Sequence, residues 1–410
     1  MITVLIAGIL GFLISLTALP VFIKKMKSLK LGQLIRDEGP AAHQYKAGTP
    51  TMAGLIFIPA AILAYLLTMG ISAVFFGTSP LPSATAWLTI AFTLGMLGVG
   101  AADDIMKFRH KGNEGLTERQ KTIGLLAVTV PFAFLAFQFP NESGARPAST
   151  AISFVRDLPV DLFAAGAVFG SILVAVWITL ISLSGTNAVN FTDGLDGLAN
   201  GVSAISATTV LVIALIGGQF QVAVVMAALV GACVGFMPYN MNPAKMFMGD
   251  TGATFLGYIL ATMSIQGLFK FYAIISFAVP FLILGLPIFD TAFAFIRRIA
   301  HGQSPMHADR SHIHHRLIDM GLNQKQAVAT LYVISAILGL SAVVLTTSGE
   351  GRAMLLFLVL CIVAVVAARV VFPKEVKEEL HEELEELKEH GHHGHHPADK
   401  PEDDGKTEEK

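Results

Sequence analysis

Apolar residues along this chain gather in long blocks, and the polar residues are confined to the stretches between them. Blocks of spanning length lie at 2–23, 51–72, 85–102, 122–139, 161–181, 198–217, 220–238, 252–268, 271–293, 327–347 and 353–373. About 17–25 such residues cross roughly 30 Å of hydrocarbon as a helix. Lipid cannot hydrogen-bond an open backbone, so each block is expected to be helical. The pattern predicts an all-α, polytopic integral membrane protein with about eleven transmembrane helices. A soluble core of eleven buried helices is the competing reading. Composition disfavours it, since 53% of residues are hydrophobic and only 14% charged, where soluble domains carry about 25% charge.

No basic residue precedes the first block, and no small-x-small cleavage pattern follows it before Lys24. It therefore reads as a retained helix and not as a signal peptide. Cys233 and Cys361 both fall inside apolar blocks, which suggests neither a disulfide framework nor a metal site.

Basic residues divide unevenly between alternate loops. Lys24, Lys25, Lys27, Lys30, Arg36 and Lys46 follow the first block. Lys107, Arg109, Lys111, Arg119 and Lys121 follow the third, and Arg297, Arg298, Arg310, Arg316 and Lys325 follow the ninth. The positive-inside rule makes these loops cytoplasmic, with the N-terminus outside and the C-terminus inside. Two poorer loops, 182–197 and 239–251, fall on the same inner side. Composition changes abruptly after Pro373. Residues 1–373 read as a transmembrane catalytic domain with cytoplasmic loops, and 374–410 as an acidic, His-rich, solvated tail. That tail could alternatively bind a transition metal.

The inner side collects five polar segments. RDEGPAAHQYKAGTPTMAG leads into the second block, and a Thr- and Gly-rich helix start offers backbone N–H groups to a phosphate. Lys46 would add a mobile cation there; ordinary loop chemistry explains the segment equally well. The third block ends in GVGAADDIMKFRHKGNEGLTERQK, which puts Asp103 and Asp104 where hydrocarbon meets cytosol. Carboxylates at that depth are costly and carry a partner or a task. Beside Lys107 they could bind a divalent cation, or one could take a proton while the other holds the metal. A plain helix-end charge is the alternative.

ISLSGTNAVNFTDGLDGLANG (181–201) has no Lys or Arg, yet carries Asn187, Asn190, Asp193, Asp196 and Asn200. A helix from Asn187 would align Asn187, Asn190, Asp193 and Asp196 on one face, and Gly194 and Gly197 would let other groups approach it. In NMNPAKMFMGDTGATFLG, beginning at Asn240, Asp250 falls just before a helix. It reads as an N-cap or a metal ligand, and Phe247 as packing or a face for a planar base. Last, His312, His314, His315 and Arg316 follow Asp309 and Arg310. They form a histidine metal site or an anion cluster, and the arginines favour the anion. Such a set suits a divalent cation and a phosphorylated cytosolic substrate, with an acceptor in the bilayer. A secondary transporter would place its carboxylates at the midplane of broken helices instead, and a membrane scaffold would need no such clusters.

These residues resemble the polyprenyl-phosphate N-acetylhexosamine-1-phosphate transferases of bacterial cell-envelope synthesis. The resemblance covers nearly all of residues 1–373. Its markers are AADD at 101–104, NAVNFTDGLDGLA at 187–199, FMGDTG at 247–252 and HADRSHIHHRL at 307–317. It implies transfer of a sugar 1-phosphate from a UDP-sugar to a polyprenyl phosphate, with release of UMP, at the cytoplasmic face of the bacterial inner membrane. It implies Mg²⁺, with Mn²⁺ able to substitute, held by Asp250 with Asp104. Asp103 would deprotonate or position the lipid phosphate. Asn190, Asp193, Asp196 and Phe247 would bind the nucleotide, Phe247 by stacking on uracil. Lys107 and Lys121 would contact phosphates, and His312, His314, His315 and Arg316 would meet the diphosphate or sugar. The implied catalytic set is Asp103, Asp104, Asp250 and His312; Lys46, Asn187, Asn240 and Asp309 complete the substrate-binding set. The implied partners are undecaprenyl phosphate, a UDP-N-acetylhexosamine and the bilayer, with no nucleic acid and a homodimer left open.

Within the family the motifs divide. HQYKAGTPTMAG and KGNEGLTERQK look like the branch that transfers phospho-N-acetylmuramoyl-pentapeptide for peptidoglycan, although Ala53 stands where that branch usually has a second glycine. The final loop looks like the branch that transfers N-acetylglucosamine 1-phosphate for teichoic acids, lipopolysaccharide O-antigens and related polymers. There Ile313 interrupts what the peptidoglycan branch shows as three consecutive histidines. That loop is expected to face the sugar, so the expectation is transfer of N-acetylglucosamine 1-phosphate from UDP-N-acetylglucosamine to undecaprenyl phosphate.

Overall fold

The computed structural model describes residues 1–29, 48–77, 82–109, 115–135, 151–155, 158–161, 167–267, 279–300 and 312–347. All of them lie in the compact unit Met1–Ala353. The final apolar block at 353–373 and the 374–410 tail fall outside the described residues.

Among the described residues the apolar blocks become helices, several running beyond the hydrophobic stretch. In chain order these are α1 (Ile2–Ser28), α2 (Gly54–Phe76), α3 (Ala84–Arg109), α4 (Glu118–Leu135), α5 (Ala167–Thr192), α6 (Leu198–Ile216), α7 (Phe220–Asn240), α8 (Gly249–Gly267), α9 (Gly285–Ala300), the short α10 (Ile313–Asp319) and α11 (Gln324–Thr347). Among the described residues six helices are long and apolar enough to cross a membrane: α1, α2, α3 from Ala86, α6, α7 and α11. The chain is a polytopic membrane protein. One element departs from the all-helical expectation. Ala151–Val155 (β1) pairs antiparallel with Leu158–Asp161 (β2), Ala151 opposite Asp161, so Asp161, where a helix was expected to start, is in a strand.

At the centre stands α8, with every residue from Thr251 to Ser264 buried. A helix apolar on all sides belongs in the middle of a bundle, and α2, α3, α5 and α6 pack around it. On one flank α1 packs against α7 through glycine. A side chain at Gly11 would run into the Ala228 carbonyl, and one at Gly231 into the Gly8 carbonyl. Lipid offers helices no hydrophobic drive to associate, so close backbone approach through small residues supplies the attraction. The same device meets α8 at its tip. Gly54 of α2 and Gly100 of α3 both lie against the backbone of 250–252, which fixes the spacing of three helices where the polar residues begin.

Candidate active site

Helix α3 does not stop at the edge of its apolar block but continues to Arg109, so Asp103, Asp104 and Lys107 are all helical. Asp103 and Lys107, four residues apart, form an ion pair at 2.6 Å. A capping box starts α4: the Thr117 amide donates to Gln120 Oε1 at 3.0 Å, and the Gln120 amide to Thr117 Oγ1 at 3.3 Å. That start puts Lys121 in the first turn, where its Nζ lies 2.8 Å from Asp250 Oδ2. Lys107 reaches the same oxygen at 2.9 Å. Just ahead of α4, the Leu116 amide donates to Asp103 Oδ1 at 2.8 Å.

Asp250 is not an N-cap. Helix α8 begins at Gly249, and the acceptor for its first amides comes from α3. Asp104 Oδ1 accepts from the Asp250 amide at 3.2 Å, and Asp104 Oδ2 from the Thr251 amide at 2.9 Å and the Thr251 hydroxyl at 2.6 Å. Asp104 therefore satisfies donors that every helix start leaves over, and locks the tip of α8 to the end of α3. The side chain of Asp250 is left for the lysines.

Asp103, Asp104 and Asp250 offer ligand oxygens that all lie within 4.8 Å of one another. Three carboxylates this close repel strongly at low dielectric, and two ammonium groups offset only part of that charge. An all-oxygen, charge-rich set of this kind fits a hard divalent cation. Asp103 and Asp250 have more capacity left for one than Asp104, which already accepts three hydrogen bonds.

Other expected site residues also brace the frame. The polar stripe from Asn187 does not run straight through: α5 ends at Thr192, and Gly197 at φ 83° precedes α6. Asn187 and Asn190 are helical, whereas Asp193 and Asp196 lie on the turn; Asn187 donates to the Leu183 carbonyl of its own helix. Asp196 Oδ2 accepts from the Asn242 side chain and the Ala244 amide, both at 3.1 Å. Asn240 donates to the Met246 carbonyl at 3.1 Å. Both residues thus brace the loop that carries Phe247 toward Asp250. In that loop the Phe247 amide donates to the Pro50 carbonyl, and the Ala53 and Gly54 amides donate to the carbonyls of Phe247 and Met248. The TPTMAG segment was expected to offer its N–H groups to a phosphate; two of them are spent on this bridge.

A second cluster joins two motifs. The His312 ring stacks on Phe191 at 6.0 Å and on His314 at 5.7 Å, and His314 meets His315 at 4.2 Å. The His314 ring lies over Gly194, where a side chain would strike its Nε2. Arg316 shares α10 with His314 and His315. Sequence reasoning missed Asp290 on α9, which pairs with His312 Nδ1 at 3.0 Å. It also missed Tyr332 on α11, whose hydroxyl donates to the Gly197 carbonyl at 2.6 Å. An apolar helix carrying one Asp was a signal for the first; nothing local marked the second. Lys46 and Asp309 lie outside the described residues.

Comparison with known proteins bears on the donor. Glycosyl transferase family 4 matches residues 86–268. A phospho-N-acetylmuramoyl-pentapeptide-transferase of Beutenbergia cavernae is 37% identical over 357 residues, 82% of this chain and 96% of that protein. Proteins of the same name from Micrococcus luteus and Kineococcus radiotolerans are each 41% identical, covering 65% and 64% of this chain and 76% and 77% of theirs. The expected N-acetylglucosamine donor is overturned, and with it the placement in teichoic acid or lipopolysaccharide synthesis. The structure supplies the physical reason. Ile313, which breaks the histidine run and decided that expectation, packs against the apolar cluster of Leu195, Leu198 and Leu331, so packing accounts for the break in the run. With a relative matched over nearly its whole length and the family motifs assembled in one fold, the chain belongs to glycosyl transferase family 4.

Proposed function

We propose that this protein transfers phospho-N-acetylmuramoyl-pentapeptide from its UDP-linked donor to undecaprenyl phosphate at the cytoplasmic face of the bacterial inner membrane, releasing UMP. The observation that carries the reading is the cluster of Asp103, Asp104 and Asp250 with Lys107 and Lys121 at the joint of α3, α4 and α8. The names of the relatives support the donor, and the front-half motifs HQYKAGTPTMAG and KGNEGLTERQK agree with them.

Two phosphate groups must meet in this reaction, and their mutual repulsion is what fixed charges and fixed geometry offset. Asp250 with Asp104 would hold Mg²⁺, or Mn²⁺ in its place, which would supply a Lewis acid that neutralises the diphosphate. Lys107 and Lys121 exchange their ion pairs with Asp250 for phosphate oxygens when substrate arrives. Asp103 takes the proton of the lipid phosphate or holds that phosphate in line. An oxygen of the lipid phosphate then bonds to the sugar-bearing phosphorus as the bond to UMP breaks. Phe247 offers its ring to uracil, with Asn190 and Asp193 beside the nucleotide, and His312, His314, His315 and Arg316 meet the diphosphate.

The test is UMP release by the purified protein in detergent with undecaprenyl phosphate and Mg²⁺. UDP-N-acetylmuramoyl-pentapeptide is expected to give UMP and a lipid diphosphate product. Absence of UMP with that donor, while another UDP-sugar gives it, would overturn the donor.

A further inference from the structure

Helix α9 carries one acid in an otherwise apolar run, Asp290 in LPIFDTAFAF. It is 7% exposed. A lone carboxylate in such a setting is costly unless its oxygens are used, and both are. Oδ2 lies 3.0 Å from His312 Nδ1, and Oδ1 accepts from the Ile313 amide at 2.8 Å. Asp290 thus grips two consecutive residues at the start of α10 from a different helix, across 22 positions of sequence.

Two further rings hold that of His312. Phe191 covers one face at an interplanar angle of 22° and His314 stacks at 8°. A ring stacked in this way cannot flip without disturbing α5 and its own helix. A carboxylate accepts and cannot donate when ionised, so the imidazole must carry its proton on Nδ1, and the nitrogen left for another partner is Nε2.

We infer that Asp290 is a positioning residue for His312: it fixes the Nδ1–H tautomer and aims Nε2 at an oxygen of the donor's diphosphate. The inference rests on the proposed function only for the identity of that diphosphate. The second oxygen's bond to the Ile313 amide holds the histidine's backbone as well as its ring, so orientation and tautomer are set by one side chain. Glutamate at this position would keep the acceptor chemistry. Asparagine, whose amide nitrogen can only donate, would turn the ring's proton to Nε2 or break the contact, as the corresponding change does to a histidine in serine proteases.

Two experiments separate this from a merely structural role. In protein labelled with ¹⁵N-histidine, His312 is assigned by loss of its signals in His312→Gln. The wild type is expected to show a protonated Nδ1, and Asp290→Asn to lose that signature. This reading needs no substrate, so it stands whatever the donor proves to be. A wild-type ring protonated only on Nε2 would overturn the inference. The second experiment is UMP release per folded protein. Asp290→Asn is expected to lower kcat by roughly 10–100-fold, the range for partners that orient a functional histidine, with a smaller change in KM, and Asp290→Glu to recover most of it. In a His312→Gln background the further change Asp290→Asn is expected to cost almost nothing, because residues acting as a unit are non-additive. Full multiplication of the two losses, or an Asp290→Asn variant with undiminished kcat, would overturn it.

Discussion

Asp104 and Thr251 are joined twice, through the amide at 2.9 Å and the hydroxyl at 2.6 Å of the threonine, both to the same carboxylate oxygen. The acid that sequence alone places beside a metal also serves as the cap of the helix carrying Asp250. Thr251→Ala removes one of these bonds at a buried position. A hydrogen bond to a charged group contributes about 1.5–3 kcal/mol, so the variant is expected to inactivate at lower temperature, and Thr251→Ser to behave like the wild type. Thermal inactivation of UMP release in detergent measures both. Equal stability of the alanine variant would mean that the cap is dispensable.

Lys107 and Lys121 meet on one oxygen of Asp250 from two different helices. Removing either leaves three carboxylates facing a single ammonium group. Lys121→Ala is expected to lower kcat/KM for the nucleotide donor by roughly 10–100-fold, which corresponds to about 1.4–2.7 kcal/mol. Steady-state kinetics at fixed Mg²⁺ reads the effect, and raising the metal concentration should not restore the loss.

Metal dependence follows from the same three acids. Chelation with EDTA is expected to abolish UMP release, and Mg²⁺ or Mn²⁺ to bring it back. Asp250→Asn is expected to remain inactive at any metal concentration, since it removes the carboxylate on which both lysines converge. Activity that survives exhaustive chelation would rule out the divalent cation.

Gly100 abuts the Asp250 carbonyl, and an added methyl there meets backbone, which cannot swing aside. Gly100→Ala is expected to cost about 1–3 kcal/mol of stability, as overpacking does, and to lower activity by moving Asp250 relative to Asp103. Gly70, with open space around its Cα, is the control: Gly70→Ala should be silent in both assays.

The chemistry was more legible than the scaffolding. Asp103, Asp104, Lys107 and Asp250 stood out because charge next to hydrocarbon needs a reason, and the structure brings all four together. Asp196 and Asn240 stood out on the same grounds, and each also holds a loop. A buried polar residue looks alike in sequence whether it faces a ligand or a backbone amide. Asp290 stayed hidden because its partner lies 22 positions away and only folding supplies it. Ile313 misled for the opposite reason: its neighbours in sequence are polar, while its neighbours in space are leucines. The β1–β2 pair escaped because 151–160 falls between two apolar blocks and the strand preference of AISFV was not weighed.

The glycine seams between α1 and α7, and around the tip of α8, set helix spacing by the thickness of a peptide unit. Side-chain volume elsewhere in the bundle can change by a methyl and be absorbed by a neighbouring rotamer; a spacing set by carbonyl against Cα has no such slack. The seams act as a ruler. The separation of the carboxylates is therefore insulated from the thickness and fluidity of the surrounding lipid, and a bilayer that stretches or thins should tilt the bundle as a whole before it pulls Asp250 away from Asp104.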